Sequence, residues 1–114
     1  MKAMLLEQLG AVDRHATPLR LADWPDPVPR DDEVLIRVHA CGVCHTELDE
    51  IEGRTAPSQL PMVLGHQVIG RVVAAGNRAH PWREGDRVGV AWIFSACGHC
   101  SYCLSDRENL CPEL

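Results

Sequence analysis

Cations are scarce in this chain. Eleven Lys and Arg stand against sixteen Asp and Glu, a formal net charge of -5 over 114 residues. A nucleic-acid surface needs clustered cations to displace counterions, so that class is excluded. No basic amphipathic stretch marks a membrane surface, and no apolar run approaches the ~20 residues of a membrane span. The start, Met1 to Gln8, has one Lys, an early Glu and no long apolar middle, so it lacks the form of an export signal and a cytoplasmic protein is expected. There is no internal repeat and no low-complexity tract. No G-x-G-x-x-G follows a predicted strand and no βαβ alternation occurs, so no dinucleotide-binding domain is expected within these residues.

What is present is the composition of one globular domain, 46% hydrophobic and 24% charged. Short strand-like runs dominate. Lys2 to Leu9, Pro18 to Ala22, Glu33 to Ala40, Val68 to Ala75 and Asp86 to Ile93 read as strands. In the third, Val34, Ile36 and Val38 fall on one face and Arg37 and His39 on the other. Trp24 to Pro29 carries three prolines and is predicted extended or turning. Thr46 to Glu52 is predicted to form about two helical turns ending at Gly53, and Ser101 to Leu110 a short helix. The fold expected is mainly β, a barrel or sandwich with small helical inserts.

The strongest motif is C-x2-C-x2-C-x7-C, formed by Cys97, Cys100, Cys103 and Cys111. Thiols so close in sequence cannot all pair as unstrained disulfides. All four can converge on one metal ion, which means structural zinc or an iron–sulfur cluster. Cys111-Pro112 copies the end of the ferredoxin run, but seven residues precede Cys111 where that run has three. With no export signal, six cysteines read as ligands or reactive thiols before they read as disulfides.

Cys41-Gly42-Val43-Cys44-His45 fits three mechanisms. It is a literal C-x-x-C-H haem attachment sequence, a C-G-x-C dithiol, and, taken with His66, a pair of metal ligands. A buried thiol and a satisfied core histidine explain the same residues. Local sequence leaves these open.

Taken together, the segments 41–48, Leu60-Pro61-Met62-Val63-Leu64-Gly65-His66-Gln67-Val68-Ile69-Gly70, Gly85-Asp86-Arg87-Val88 and Cys97 to Cys111 resemble the N-terminal, GroES-like domain of zinc-dependent alcohol dehydrogenases, in the medium-chain dehydrogenase/reductase family. Glu50-Ile51-Glu52-Gly53 looks closer to the cinnamyl-alcohol-dehydrogenase-like bacterial branch. The resemblance covers essentially the whole chain. It implies a GroES-like, partly open β-barrel over residues 1–114 with short helices and a four-cysteine zinc lobe over about 95–113. Cys97, Cys100, Cys103 and Cys111 would hold a structural zinc. Cys44 and His66 would supply two of the three protein ligands of a catalytic zinc, and Cys41 would be a packing residue.

The resemblance also implies a reaction: a small alcohol is oxidised to an aldehyde or ketone by hydride transfer to NAD or NADP. Thr46 would accept the alcohol proton, although Thr also suits a helix N-cap. Asp49 stands where many members carry a relay His, and would take that role. His45 matches the cationic position near the cofactor pyrophosphate. Trp92 matches the aromatic wall of the alcohol pocket, or else a barrel core position. Two further departures are Gln67, where Glu is usual beside the ligating His, and Glu47, where Asp is usual. The third zinc ligand and the nicotinamide domain have no counterpart in the sequence. The chain therefore reads as a fragment, inactive alone, with exposed apolar edges, from an enzyme expected to be a homo-oligomer. The competing class is a stand-alone four-cysteine metal-binding or iron–sulfur electron-transfer module without dehydrogenase activity.

Overall fold

The computed structural model describes residues 1–93 and 95–113. Six strands, β1 (Lys2–Leu6), β2 (Leu19–Asp23), β3 (Val34–Gly42), β4 (Met62–Val63), β5 (Gln67–Ala75) and β6 (Arg87–Val90), accompany one helix, α1 (His45–Glu52). Two antiparallel sheets result, in the orders β2-β1-β4 and β3-β5-β6. This is the mainly β, open-sheet GroES-like architecture that the resemblance implies. β4, only two residues long, was not legible in the pattern, because so short a strand has no period. The predicted strand at the start ends at Leu6 rather than Leu9, and the last runs only from Arg87 to Val90.

In β3, Val34 and Ile36 are half-buried as expected, but Val38, which lines an open cleft, is exposed. The β3–β5 register shifts twice: Val73 of β5 is passed over between the pairs of Leu35 and Ile36, and His39 of β3 between those of Val38 and Ala40. Gly70 sits where β3 and β5 approach closely: a methyl there would collide with the Arg37 carbonyl and with Ile36 Cγ2.

The core is small. Leu5, Leu6 and Val72 are its most completely buried large side chains, joined by Ala3, Ile51, Ala79 and Val88. Each buried Leu or Val contributes about 1.5–3 kcal/mol. Ile51 anchors α1, and its carbonyl accepts the Gly10 amide at 2.9 Å. Between the sheets lies a cleft of 570 Å³ lined by Met4, Val63, Leu35, Val38 and Val73 among others. Met4, Leu21, Val38, Val63, Ile69 and Val90 are each 40% exposed or more, so the expected apolar edges are present.

The lobe departs from the sequence expectation. In place of one helix over 101–110 there are two 3-10 turns, Cys103–Ser105 and Glu108–Leu110. Asp106 between them takes a left-handed conformation at φ 56, which a continuous helix cannot include. The break lets Cys103 and Cys111 both turn toward the same point. Among the described residues no helix is long and apolar enough to cross a membrane.

Candidate metal centres

The four cysteines of the lobe converge. The sulfurs of Cys97, Cys100, Cys103 and Cys111 all lie within 4.8 Å of one another. Cys97 and Cys103 are 3.8 Å apart, and Cys100 and Cys103 3.5 Å. A tetrahedron with arms of about 2.3 Å has edges of about 3.8 Å, so the cage fits zinc thiolate geometry. Backbone amides point at the sulfurs. Cys97 N–H donates to Cys111, Cys100 N–H to Cys97, Cys103 N–H to Cys100, and Glu113 N–H to Cys111, at 3.3–3.5 Å. Gly98, at φ 77, opens the first turn so that the amides behind it can face Cys97. These donors partly neutralise thiolate charge, which a lobe without a metal-binding role does not need.

Charge within the cage is uneven. The His99 amide holds the Cys97 thiol down to about 6; burial opposes it, and the Cys100 amide and the thiols of Cys100 and Cys111 assist. Burial pushes Cys103 up to about 12, helped by the three neighbouring thiols and opposed by the Gly98 amide. Of this pair Cys97 is poised to ionise and Cys103 to stay protonated, and a cation among the sulfurs would favour the thiolate of both.

A second cluster forms at the N-terminus of α1. Cys44 is the N-cap, in extended conformation, and its sulfur accepts the Thr46 amide at 3.4 Å. Glu47 closes a capping box by accepting the Cys44 amide through Oε2 at 2.7 Å. Thr46, expected as a possible N-cap, is instead the second helical residue, because Cys44 takes the capping role two positions earlier. His66 arrives from the β4–β5 connection, 22 residues away in sequence, and places Nε2 3.3 Å from the Cys44 sulfur. Its other nitrogen, Nδ1, lies 2.9 Å from Glu47 Oε1. That carboxylate oxygen is buried and has no aligned hydrogen-bond donor, so the contact acts by charge and proximity. Glu47 and His66 side chains are only 8% and 16% exposed.

Cys44, Glu47 and His66 place donor atoms within 4.8 Å of one another, a set that could hold a metal ion. A sulfur and a nitrogen on one tetrahedral zinc are separated by about 3.5 Å, close to the distance found. Burial pushes the Glu47 carboxyl up, but the Cys44 and Glu47 amides, His66 and the Cys44 thiol outweigh it and hold it below the usual range. Glu50, three residues further along α1, is moved the other way: burial raises it, Glu47 adds to the rise, and His66 opposes.

The remaining sequence candidates lie around this cluster. Asp49 is ion-paired with Arg54 at 2.6 Å, and its Oδ1 is 3.6 Å from His45 Nε2. Arg54 also reaches Glu52. Sequence reasoning missed Arg54; the only signal was an Arg just after the helix-ending glycine, five residues beyond Asp49. His45 begins α1 and is exposed. Trp92 is 66% exposed, which overturns the core alternative for it. Cys41, expected to pack, is also exposed, although its sulfur lies against Gly65, where a Cβ would come within 2.8 Å. Gln67 is exposed and its side chain lies over Gly42.

The comparisons with known proteins agree with this geometry. The family described as the alcohol dehydrogenase GroES-like domain matches residues 30–114. An alcohol dehydrogenase of Geobacillus stearothermophilus is 41% identical over 99% of this chain and 32% of its own length. The crystal structure of AibC superposes with a TM-score of 0.88 at 36% identity, over 99% of this chain and 30% of that one. A structure described as an NAD-dependent alcohol dehydrogenase gives 0.80 at 33% identity, over 98% and 32%. The chain thus spans about a third of the length of the relatives it matches. With the family matched over most of its residues and both cysteine clusters assembled, the chain belongs to the alcohol dehydrogenase GroES-like domain family.

Proposed function

We propose that these 114 residues are the GroES-like catalytic domain of a zinc-dependent alcohol dehydrogenase that oxidises a small alcohol to an aldehyde or ketone, with NAD or NADP as hydride acceptor. The dinucleotide-binding domain and the third catalytic zinc ligand would come from residues outside this chain. The observation that carries the reading is the meeting of Cys44 and His66, with Glu47 buried behind the ring. Oε2 of that carboxylate caps the helix, but Oε1 is buried without a hydrogen-bond donor and faces His66 Nδ1, a placement that capping alone does not require.

In this reading Cys97, Cys100, Cys103 and Cys111 hold a structural zinc, and Cys44 and His66 hold the catalytic one. When bound there, zinc supplies Lewis acidity that favours loss of the alcohol proton. Glu47 keeps Nε2 of His66 aimed at the metal position. Thr46, beside the Cys44 sulfur, offers a hydroxyl that can both accept and donate, which suits the first step of a proton relay. Asp49, paired with Arg54, is the next acceptor toward solvent. His45, exposed at the helix N-terminus, would meet the cofactor pyrophosphate. The NAD dependence ascribed to one structural neighbour supports the cofactor class. Five of the six cysteines serve as zinc ligands in this reading, which suits a reducing, cytoplasmic setting.

The test is made on the full reading frame that contains this chain. Cys44→Ser and His66→Ala should each abolish alcohol-dependent NAD(P)H formation while lobe zinc is retained. Wild-type turnover in the Cys44→Ser enzyme would reject the proposal.

A further inference from the structure

The lobe carries a second ligand set. Cys97 Sγ, a nitrogen of His99 and a carboxylate oxygen of Glu113 lie within 4.8 Å of one another. This set shares one sulfur with the four-cysteine cage and takes its other two donors from exposed side chains. Neither side chain hangs loosely beside the cage. The amide of Cys100, the residue after His99, donates to Cys97 and the Glu113 amide donates to Cys111, so the backbone at each lies against a lobe sulfur. Cys111 is buried, while Cys97, Cys100 and Cys103 are all half-buried. Among the described residues, Cys97 is the one cage cysteine that also shares a donor set with exposed side chains, so the route from solvent to the cage runs through it.

We propose that Cys97, His99 and Glu113 form an entry site for zinc, through which the ion is loaded into and withdrawn from the four-cysteine cage. The proposal rests on the reading of the lobe as a zinc site. A four-thiolate zinc has no open position, so its exchange must pass through a state in which some sulfurs are replaced by other donors. His nitrogen and carboxylate oxygen are ordinary zinc ligands and can hold a partly hydrated ion. Cys97 would keep its bond to an incoming ion while Cys100, Cys103 and Cys111 take the places of His99, Glu113 and residual water, and each thiol that binds would give its proton to water. No electron changes hands. Withdrawal follows the same path in reverse, so both rates must respond together.

The full-length protein is the material for the test, with His99→Asn and Glu113→Gln singly and together. Three quantities are read: zinc content, the rate of zinc uptake by the metal-free protein, and the rate of withdrawal by a colorimetric chelator. The double variant should load and release zinc more slowly by on the order of tenfold, with unchanged zinc content. Unchanged rates would overturn the proposal. Loss of zinc content in the variant would also overturn it, since the two residues would then be structural supports of the cage. A wild-type protein without lobe zinc would refute the underlying reading instead. A second measurement needs no change at the rim: Co2+ mixed rapidly with metal-free Cys44→Ser protein should show a weak one-thiolate absorption before the four-thiolate spectrum. Direct appearance of the four-thiolate spectrum in one phase would count against the entry site.

Discussion

Replacing Glu47 reaches both the fold and the chemistry, and two substitutions separate the effects. Glu47 Oε2 accepts the Cys44 amide at 2.7 Å from a side chain that is 8% exposed. A hydrogen bond to a charged group is worth about 1.5–3 kcal/mol. Glu47→Ala removes it and leaves the N-cap amide unpaired, although it also relieves the buried, undonated Oε1. The net loss expected is about 2 kcal/mol, read by urea unfolding of the metal-free chain at neutral pH. Glu47→Gln keeps an oxygen for the Cys44 amide, so its stability loss should be about half as large. Both substitutions remove the negative charge 2.9 Å from His66 Nδ1. Both should therefore weaken zinc at Cys44 and His66 by roughly 10–100-fold in a competition titration of the full-length protein. The pH dependence has a definite sign. The folded carboxyl sits below its ordinary value of 4.5, so its stabilisation is complete above that value and is lost as pH falls through the folded value. Glu47→Gln should flatten that acid limb. A Glu47→Ala chain within about 0.5 kcal/mol of wild type, or a Glu47→Gln protein with unchanged zinc affinity, would refute the reasoning.

Three other outcomes are expected. Glu50 is raised above 4.5 by burial and by Glu47, so its contribution is favourable below that value and is lost as pH rises through the folded one; Glu50→Gln should stabilise the chain at neutral pH by less than about 1 kcal/mol, and destabilisation there would contradict the assignment. In the metal-free chain at pH 7, iodoacetamide followed by peptide mass spectrometry should modify Cys97 well before Cys103, since only the former is poised near 6, and zinc should protect both. Gly70→Ala should cost about 1–3 kcal/mol or prevent folding, because the added methyl meets backbone of β3; a neutral effect in thermal unfolding would show that the strands separate more easily than their register implies.

Much of the site was legible because metal ligands carry their own spacing. The C-x2-C-x2-C-x7-C run identified the lobe, and the segments around Cys44 and His66 identified the family, before any distance was known. The fold was legible where a long apolar, β-branched run is bounded by glycines, as in β5. It was lost where geometry is non-local. β4 exists only because β1 offers Leu5 and Leu6 as pairing partners. The irregularities of the β3–β5 ladder, one in each strand, depend on how the two strands pair. The helix expected over 101–110 failed because convergence of Cys103 and Cys111 outranks the helical tendency of the residues between them. Cys44 as N-cap was missed because Ser, Thr, Asp and Asn are the usual caps, and a thiol takes the place here while also facing His66. Arg54 was missed because an ion pair across a helix end has no sequence period.

The central claim is that the lobe and the α1 cluster are zinc sites. Elemental analysis combined with zinc-edge X-ray absorption of the purified chain tests it most directly. The account predicts zinc without iron, no visible absorption, and a shell of about four sulfurs at about 2.3 Å, with a nitrogen contribution appearing if Cys44 and His66 bind a second ion. Iron with a coloured spectrum, or a metal-free lobe whose cysteines remain unliganded under zinc-replete conditions, would contradict it.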